Sequence, residues 1–138
     1  MIEPITFIYT DIGNSNIGAR MLPLLPVSLI NGNNRLEANG LLDSGAVVSV
    51  LPYSAGIQLG LLWEDHRIYF QLAGNLDRIP AKAVLLSVQV ANMEPVTIAF
   101  AWSQSDSVRL ILGQTNFFTE FDVCFFRSKE TFEIRPNP

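Results

Sequence analysis

Charge, cysteine and histidine are scarce in this sequence, and each scarcity removes a class of function. Charged residues make up 16% of the 138 residues, against about 25% in an average soluble domain. So few charges coat a surface poorly, and burying part of that surface in a subunit interface is the simplest remedy. Cys124 is the one cysteine, which excludes an intrachain disulfide and a cysteine-based zinc site. His66 is the one histidine, set in Glu64-Asp65-His66-Arg67. A histidine metal cage or a Ser-His-Asp triad would rest on it alone, so it reads as a solvated loop residue. No metal or cofactor is expected. The net charge is −4 with no basic patch, which argues against nucleic acid as a partner. No continuous apolar window reaches the ~18 residues of a membrane-spanning helix. The start, Met1-Ile2-Glu3-Pro4, lacks the basic and apolar regions of a signal peptide. A soluble, cytoplasmic setting is the resulting expectation.

Repeats, low-complexity segments and linkers are missing too, so residues 1–138 read as one domain with a real core. Hydrophobic residues reach 49% and the mean hydropathy is +0.27. Val84, Leu86, Val88 and Val90 alternate with smaller or polar residues. So do Val96, Ile98, Phe100 and Trp102, and later Phe132 and Ile134. Period two predicts strands with one buried face. Three turn signals predict hairpins. Asn31-Gly32-Asn33-Asn34 follows Pro26–Ile30, Ala73-Gly74-Asn75 joins Ile68–Leu72 to Ile79–Val90, and Arg127–Glu130 joins Val123–Phe126 to Thr131–Arg135. Helical signal is limited to Pro52–Leu62, with Pro52 near its first turn, and to Gln114–Phe121, where Phe117, Phe118 and Phe121 fall at helical spacing. The predicted class is mostly β, closed on itself, with one or two short helices. Cys124, Trp63 and Trp102 read as core residues, the tryptophans alternatively as interface anchors.

One carboxylate stands out. Asp43 is the only charged residue between Glu37 and Glu64, in Leu41-Leu42-Asp43-Ser44-Gly45-Ala46-Val47-Val48-Ser49-Val50-Leu51. Asp-Ser-Gly is ordinary turn chemistry, because Asp bonds its own backbone two residues on. A solvent turn is seldom flanked so tightly by apolar runs, and burying a lone carboxylate is expensive.

The segment Leu41–Ala46 resembles the catalytic loop of the retropepsins, the single-domain aspartic peptidases of retroviruses and their cellular relatives. Ser49 falls at a position often Ser or Thr there. Leu110-Ile111-Leu112-Gly113 is similar to the family's strand that crosses behind this loop. Gln114–Phe121 follows where the family has its C-terminal helix, and Asp122–Phe126 where it has a closing strand. The resemblance covers roughly Pro23 to Phe126. It implies a closed β-barrel of acid-protease type with a hairpin flap, here placed around Gly74. It implies Asp43, Ser44 and Gly45 as catalytic-loop residues. Ala46, Val47, Ala73, Gly74, Asn75 and Leu76 would then contact a peptide or protein substrate. An ordinary surface hairpin is the rival reading of the Gly74 segment. Two departures stand together: retroviral members carry an acidic residue where this chain has Val47, and Arg where it has Gln114. Those family positions pair with each other.

Amide hydrolysis at mild pH needs an activated water and a proton donor, which two carboxylates sharing one proton supply. At about 3 Å and an effective dielectric near 20, two carboxylates repel by roughly 5 kcal/mol. That is about 4 pKa units, enough to keep one protonated while the other is ionised. Asp-Ser-Gly occurs once; Asp106-Ser107 continues into Val108, and Asp11-Ile12 into Gly13. The pair must therefore come from two chains in an isologous homodimer. In retroviral members the termini build the dimer sheet, for which Ile5–Tyr9 and Thr131–Arg135 are the counterparts. Three functional readings follow: a homodimeric aspartic endopeptidase, an inactive retropepsin-fold module for binding or assembly, and a small ligand-binding barrel whose Asp43 is a solvent-exposed turn.

Overall fold

The computed structural model describes residues 3–15, 18–72 and 78–137. Twelve strands run through them in chain order. The first five are β1 (Ile5–Ile8), β2 (Thr10–Ser15), β3 (Gly18–Leu22), β4 (Leu24–Asn31) and β5 (Asn34–Leu42). Then come β6 (Ser49–Leu51), β7 (Tyr69–Phe70), β8 (Ala81–Gln89), β9 (Val96–Ser103) and β10 (Ile111–Leu112). β11 (Phe121–Phe126) and β12 (Thr131–Pro136) end the chain. Two short helices, α1 (Tyr53–Gln58) and α2 (Phe117–Glu120), complete the fold. Neither is long and apolar enough to cross a membrane.

The main sheet closes on itself. Its order is β4-β5-β10-β6-β9-β8, and β8 pairs back onto β4, so six strands form a barrel with β7 appended to β8. Closure removes the open edges that a flat sheet of this length would expose. Period two sets the register. Val84, Leu86 and Val88 of β8 lie opposite Phe100, Ile98 and Val96 of β9, and all but half-buried Val96 belong to the closed core. The pattern fails at one end of the barrel, where Ala81 and Ala101 are also buried. There a second small cluster of Val50, Leu72 and Val108 covers the other sheet face. Both faces of β8 and β9 are thus covered at Ala81 and Ala101.

The β4–β5 hairpin turns at Gly32, whose φ of 58° suits glycine. The helices are shorter than their sequence signals. α1 begins after Pro52 and has ended before Gly60, which adopts φ 81°. α2 spans only Phe117–Glu120, because Asn116 just before it adopts φ 71°, outside the helical region, and Phe121 already opens β11. Helical spacing still stacks Phe117 on Phe121 at 4.8 Å, and both are buried.

Trp102 anchors the barrel end that carries α1. It is fully buried, donates Nε1–H to the Tyr53 carbonyl at 3.1 Å, stacks on Tyr53 and meets Trp63 edge-on. His66, read as a solvated loop residue, is half-buried with its ring edge-on to Trp102. Lys82 is buried as well, with Nζ on the Trp63 carbonyl at 2.8 Å and over the Trp63 and Tyr69 rings. A buried ammonium is tolerable when so partnered.

β1, β12 and β11 form a separate three-stranded sheet. The two segments expected to build a dimer sheet, Ile5–Tyr9 and Thr131–Arg135, pair with each other within one chain. Cys124, expected in the core, is exposed. Val123 and Phe125 lie opposite Ile134 and Phe132, which point inward. Parity then turns Cys124 to the outer face beside Glu133.

Two outcomes test this packing. Gly56→Ala places a Cβ 2.2 Å from the Trp102 ring. Alanine favours a helix interior by about 1 kcal/mol, whereas overpacking costs about 1–3 kcal/mol, and Trp102 is wedged between Tyr53 and Trp63. Chemical denaturation should show net destabilisation; a gain would mean that the ring can retreat. The Glu37 carboxyl is held below its ordinary range by the Ser28 hydroxyl, then by Arg35, which both donate to it. A lowered value stabilises the fold above the unfolded-state pKa, and this is lost as pH falls through the folded one. Glu37→Gln should therefore lose less thermal stability than the parent between about pH 6 and pH 3; an equal loss would refute the assignment.

Candidate active site

Asp43 sits where three strands meet. β5 delivers it, and β10 runs parallel to β5 with Ile111 opposite Leu41 and Leu112 opposite Leu42. β6 leaves on the far side, pairing Val50 with Ile111. β10 thus threads between the strands that flank the loop. The loop entrance is locked by Leu41 N–H on the Leu110 carbonyl at 2.9 Å and Asp43 N–H on the Leu112 carbonyl at 3.1 Å.

The loop folds on its own aspartate. Gly45 N–H donates to Asp43 Oδ1 at 2.9 Å, and Ala46 N–H donates to the Asp43 carbonyl at 3.1 Å. The expected Asp turn is therefore present. It does not stand out in solvent: Asp43 is half-buried and lines a cavity of about 450 Å³. Gly45, Ala46 and Val47 line it from the loop, and Val48, Val50, Gln71, Leu72 and Ile111 from around it. Asp43 is the only ionisable group among these residues.

Behind the loop the chain crosses from β10 toward α2. Gly113 N–H donates to the buried Ser49 hydroxyl at 3.0 Å, Gln114 N–H to the Ala46 carbonyl at 2.8 Å and Thr115 N–H to the Val47 carbonyl at 2.7 Å. The Gln114 side-chain amide donates to the Ser44 carbonyl at 2.6 Å. The crossing is so close that a Cβ on Gly113 would lie 2.6 Å from the Val48 carbonyl oxygen and 2.8 Å from that of Ala46. Backbone cannot yield there as a flexible side chain would, so only glycine fits.

Of the residues singled out from sequence, Asp43, Gly45, Ala46 and Val47 come together at the cavity. Ser44 is exposed, with its carbonyl held from behind. Ala73, Gly74, Asn75 and Leu76 lie outside the described residues. The arms leading to them are antiparallel, with Tyr69 opposite Lys82 and Phe70 opposite Ala81. Sequence reasoning missed Gln71, Leu72 and Ile111 as cavity walls. Only Ile111 carried a signal, as part of the crossing strand; the other two reach the cavity through barrel closure. Among the described residues no three His, Cys, Asp or Glu side chains converge as metal ligands would.

No family model matches the chain, and no curated protein does so either. Among solved structures, the chain is similar to the crystal structure of a retropepsin-like aspartic protease from Rickettsia conorii. The TM-score is 0.64 over 96% of this chain and 99% of that one, at 13% sequence identity. The fold of this chain is retropepsin-like.

Proposed function

We propose that this chain is an aspartic endopeptidase that works as a homodimer. The observation that carries this reading is the placement of Asp43, the one ionisable group among the described residues that line an apolar cavity, on a loop tied to the strand crossing behind it. Among the described residues that line the cavity with Asp43 there is no base, metal ligand or cation, which fits a second copy of itself as its partner. Across a two-fold axis the two Asp43 carboxylates share one proton. The ionised one takes a proton from water, which attacks the scissile carbonyl. The protonated one polarises that carbonyl and then protonates the leaving nitrogen. Ser44 bonds across the axis, and Gly45, without a side chain, admits the substrate backbone. Ala46 and Val47 contact substrate side chains.

The sheet order suggests where the mate docks. β12 is paired on both sides, so the open edges of the terminal sheet are those of β1 and β11. β11 is the longer and more apolar, with Phe125 and Phe126 exposed. Its one charge, Asp122, is already paired with Arg135. An apolar edge strand of this kind recruits another strand, and we assign it to the second copy. The rival reading, a retropepsin-fold module without peptidase activity, draws on exposed Val47, where retroviral members carry an acidic residue.

Cleavage of a diverse peptide library between about pH 4 and pH 7 tests the activity. Asp43→Asn should lower kcat by about 10²–10⁴-fold with an unchanged thermal midpoint. Full cleavage by that variant removes Asp43 from the chemistry, and no cleavage by the parent favours the inactive module. Sedimentation tests the interface. Phe125→Lys should shift the chain toward monomer and make activity steeply dependent on concentration. A variant that stays as dimeric as the parent takes β11 out of the contact.

A further inference from the structure

The loop that carries Asp43 is fastened from behind without a single charge. Three backbone N–H donors and one side-chain amide hold it, on the Ser49 hydroxyl and the carbonyls of Ala46, Val47 and Ser44. None of these groups gains or loses a proton between about pH 3 and pH 9. A carboxylate-to-cation clamp would behave differently, because its contribution vanishes as the carboxylate protonates. Here position 47 is an exposed Val and position 114 a neutral Gln.

Among the described residues, the elements around Gln114 carry few titratable groups. The loop brings Asp43. Gly40–Leu42 of β5, together with β6, β9 and β10, bring none. Arg35 and Glu37, lower on β5, pair with each other. α2, whose Phe118 N–H bonds the Gly113 carbonyl at 3.3 Å, brings Glu120 at its far end.

We propose that Gln114 is a positioning residue for the Asp43 loop, and that its neutrality keeps the loop in place through the acid range in which two carboxylates share a proton. The proposal rests on the peptidase reading of Asp43. The Ser44 carbonyl next to Asp43 is an acceptor only, and the Gln114 amide is a donor to it at every working pH. A carboxyl at this position would donate only while protonated.

Gln114→Glu makes the clamp titratable. Relative to the parent, its kcat should fall about tenfold or more above about pH 6 and recover toward pH 4, with KM within about twofold. Gln114→Ala should lose kcat by a similar factor at every pH. A second readout needs no activity. In an Asp43→Asn background, amide NMR shifts of Ser44, Gly45 and Ala46 should be flat with pH when Gln114 is present. With Gln114→Glu added they should follow one carboxyl titration. If Gln114→Glu keeps the parent's pH profile, or those amides stay flat, the positioning role is overturned. If the amides titrate while the parent cleaves nothing, the clamp stands and the peptidase reading falls.

Discussion

Gly113 passes behind the Asp43 loop so closely that the carbonyl oxygens of Val48 and Ala46 occupy the space a side chain would need. That crossing lets Gln114 and Thr115 reach the loop carbonyls, and it brings the Ser49 hydroxyl to the Gly113 N–H. Gly113, Gln114 and Thr115 thus each donate their backbone N–H to the segment that carries Asp43. The position of Asp43 follows from this one close approach more than from anything local to Asp-Ser-Gly.

The rest of the barrel transmits rigidity to the cavity from the opposite direction. Trp102 locks α1 and the Trp63 turn against β9. Lys82, buried on the next strand, bonds the Trp63 carbonyl and lies under the Tyr69 ring. Tyr69 begins β7, and the chain leaving β7 supplies Gln71 and Leu72 to the cavity wall. Beneath it, Val50, Leu72, Ala81, Ala101 and Val108 close a small second core. The cavity wall is therefore an extension of packed structure.

Much of this was legible from residue pattern. Alternation in Val84–Val90 and Val96–Trp102 predicts two strands with inward Val84, Leu86, Ile98, Phe100 and Trp102. The Asn-Gly turn predicts the β4–β5 hairpin, and the resemblance of Leu41–Ala46 and Leu110–Gly113 to retropepsin segments implies that the two meet. Cys124 was misplaced because an apolar run such as Val123–Phe126 does not say which parity faces inward. That is set by pairing with Phe132 and Ile134 on β12. The pairing of Ile5–Ile8 with Thr131–Ile134 within one chain was not legible, because sequence alone does not distinguish pairing within a chain from pairing between chains; the backbone hydrogen bonds are the same.

The sequence by itself determined the strand content, the apolar face of each alternating strand and the isolation of Asp43 along the chain, because these depend on short-range periodicity and on the cost of burying charge. Tertiary structure alone decided three things. It put Gln71, Leu72 and Ile111 in one cavity with Asp43, it covered both faces of the strands at Ala81 and Ala101, and it set the Gln114 amide on the Ser44 carbonyl. Each brings together residues distant along the chain, and such contacts depend on barrel closure and strand register, which no local pattern encodes.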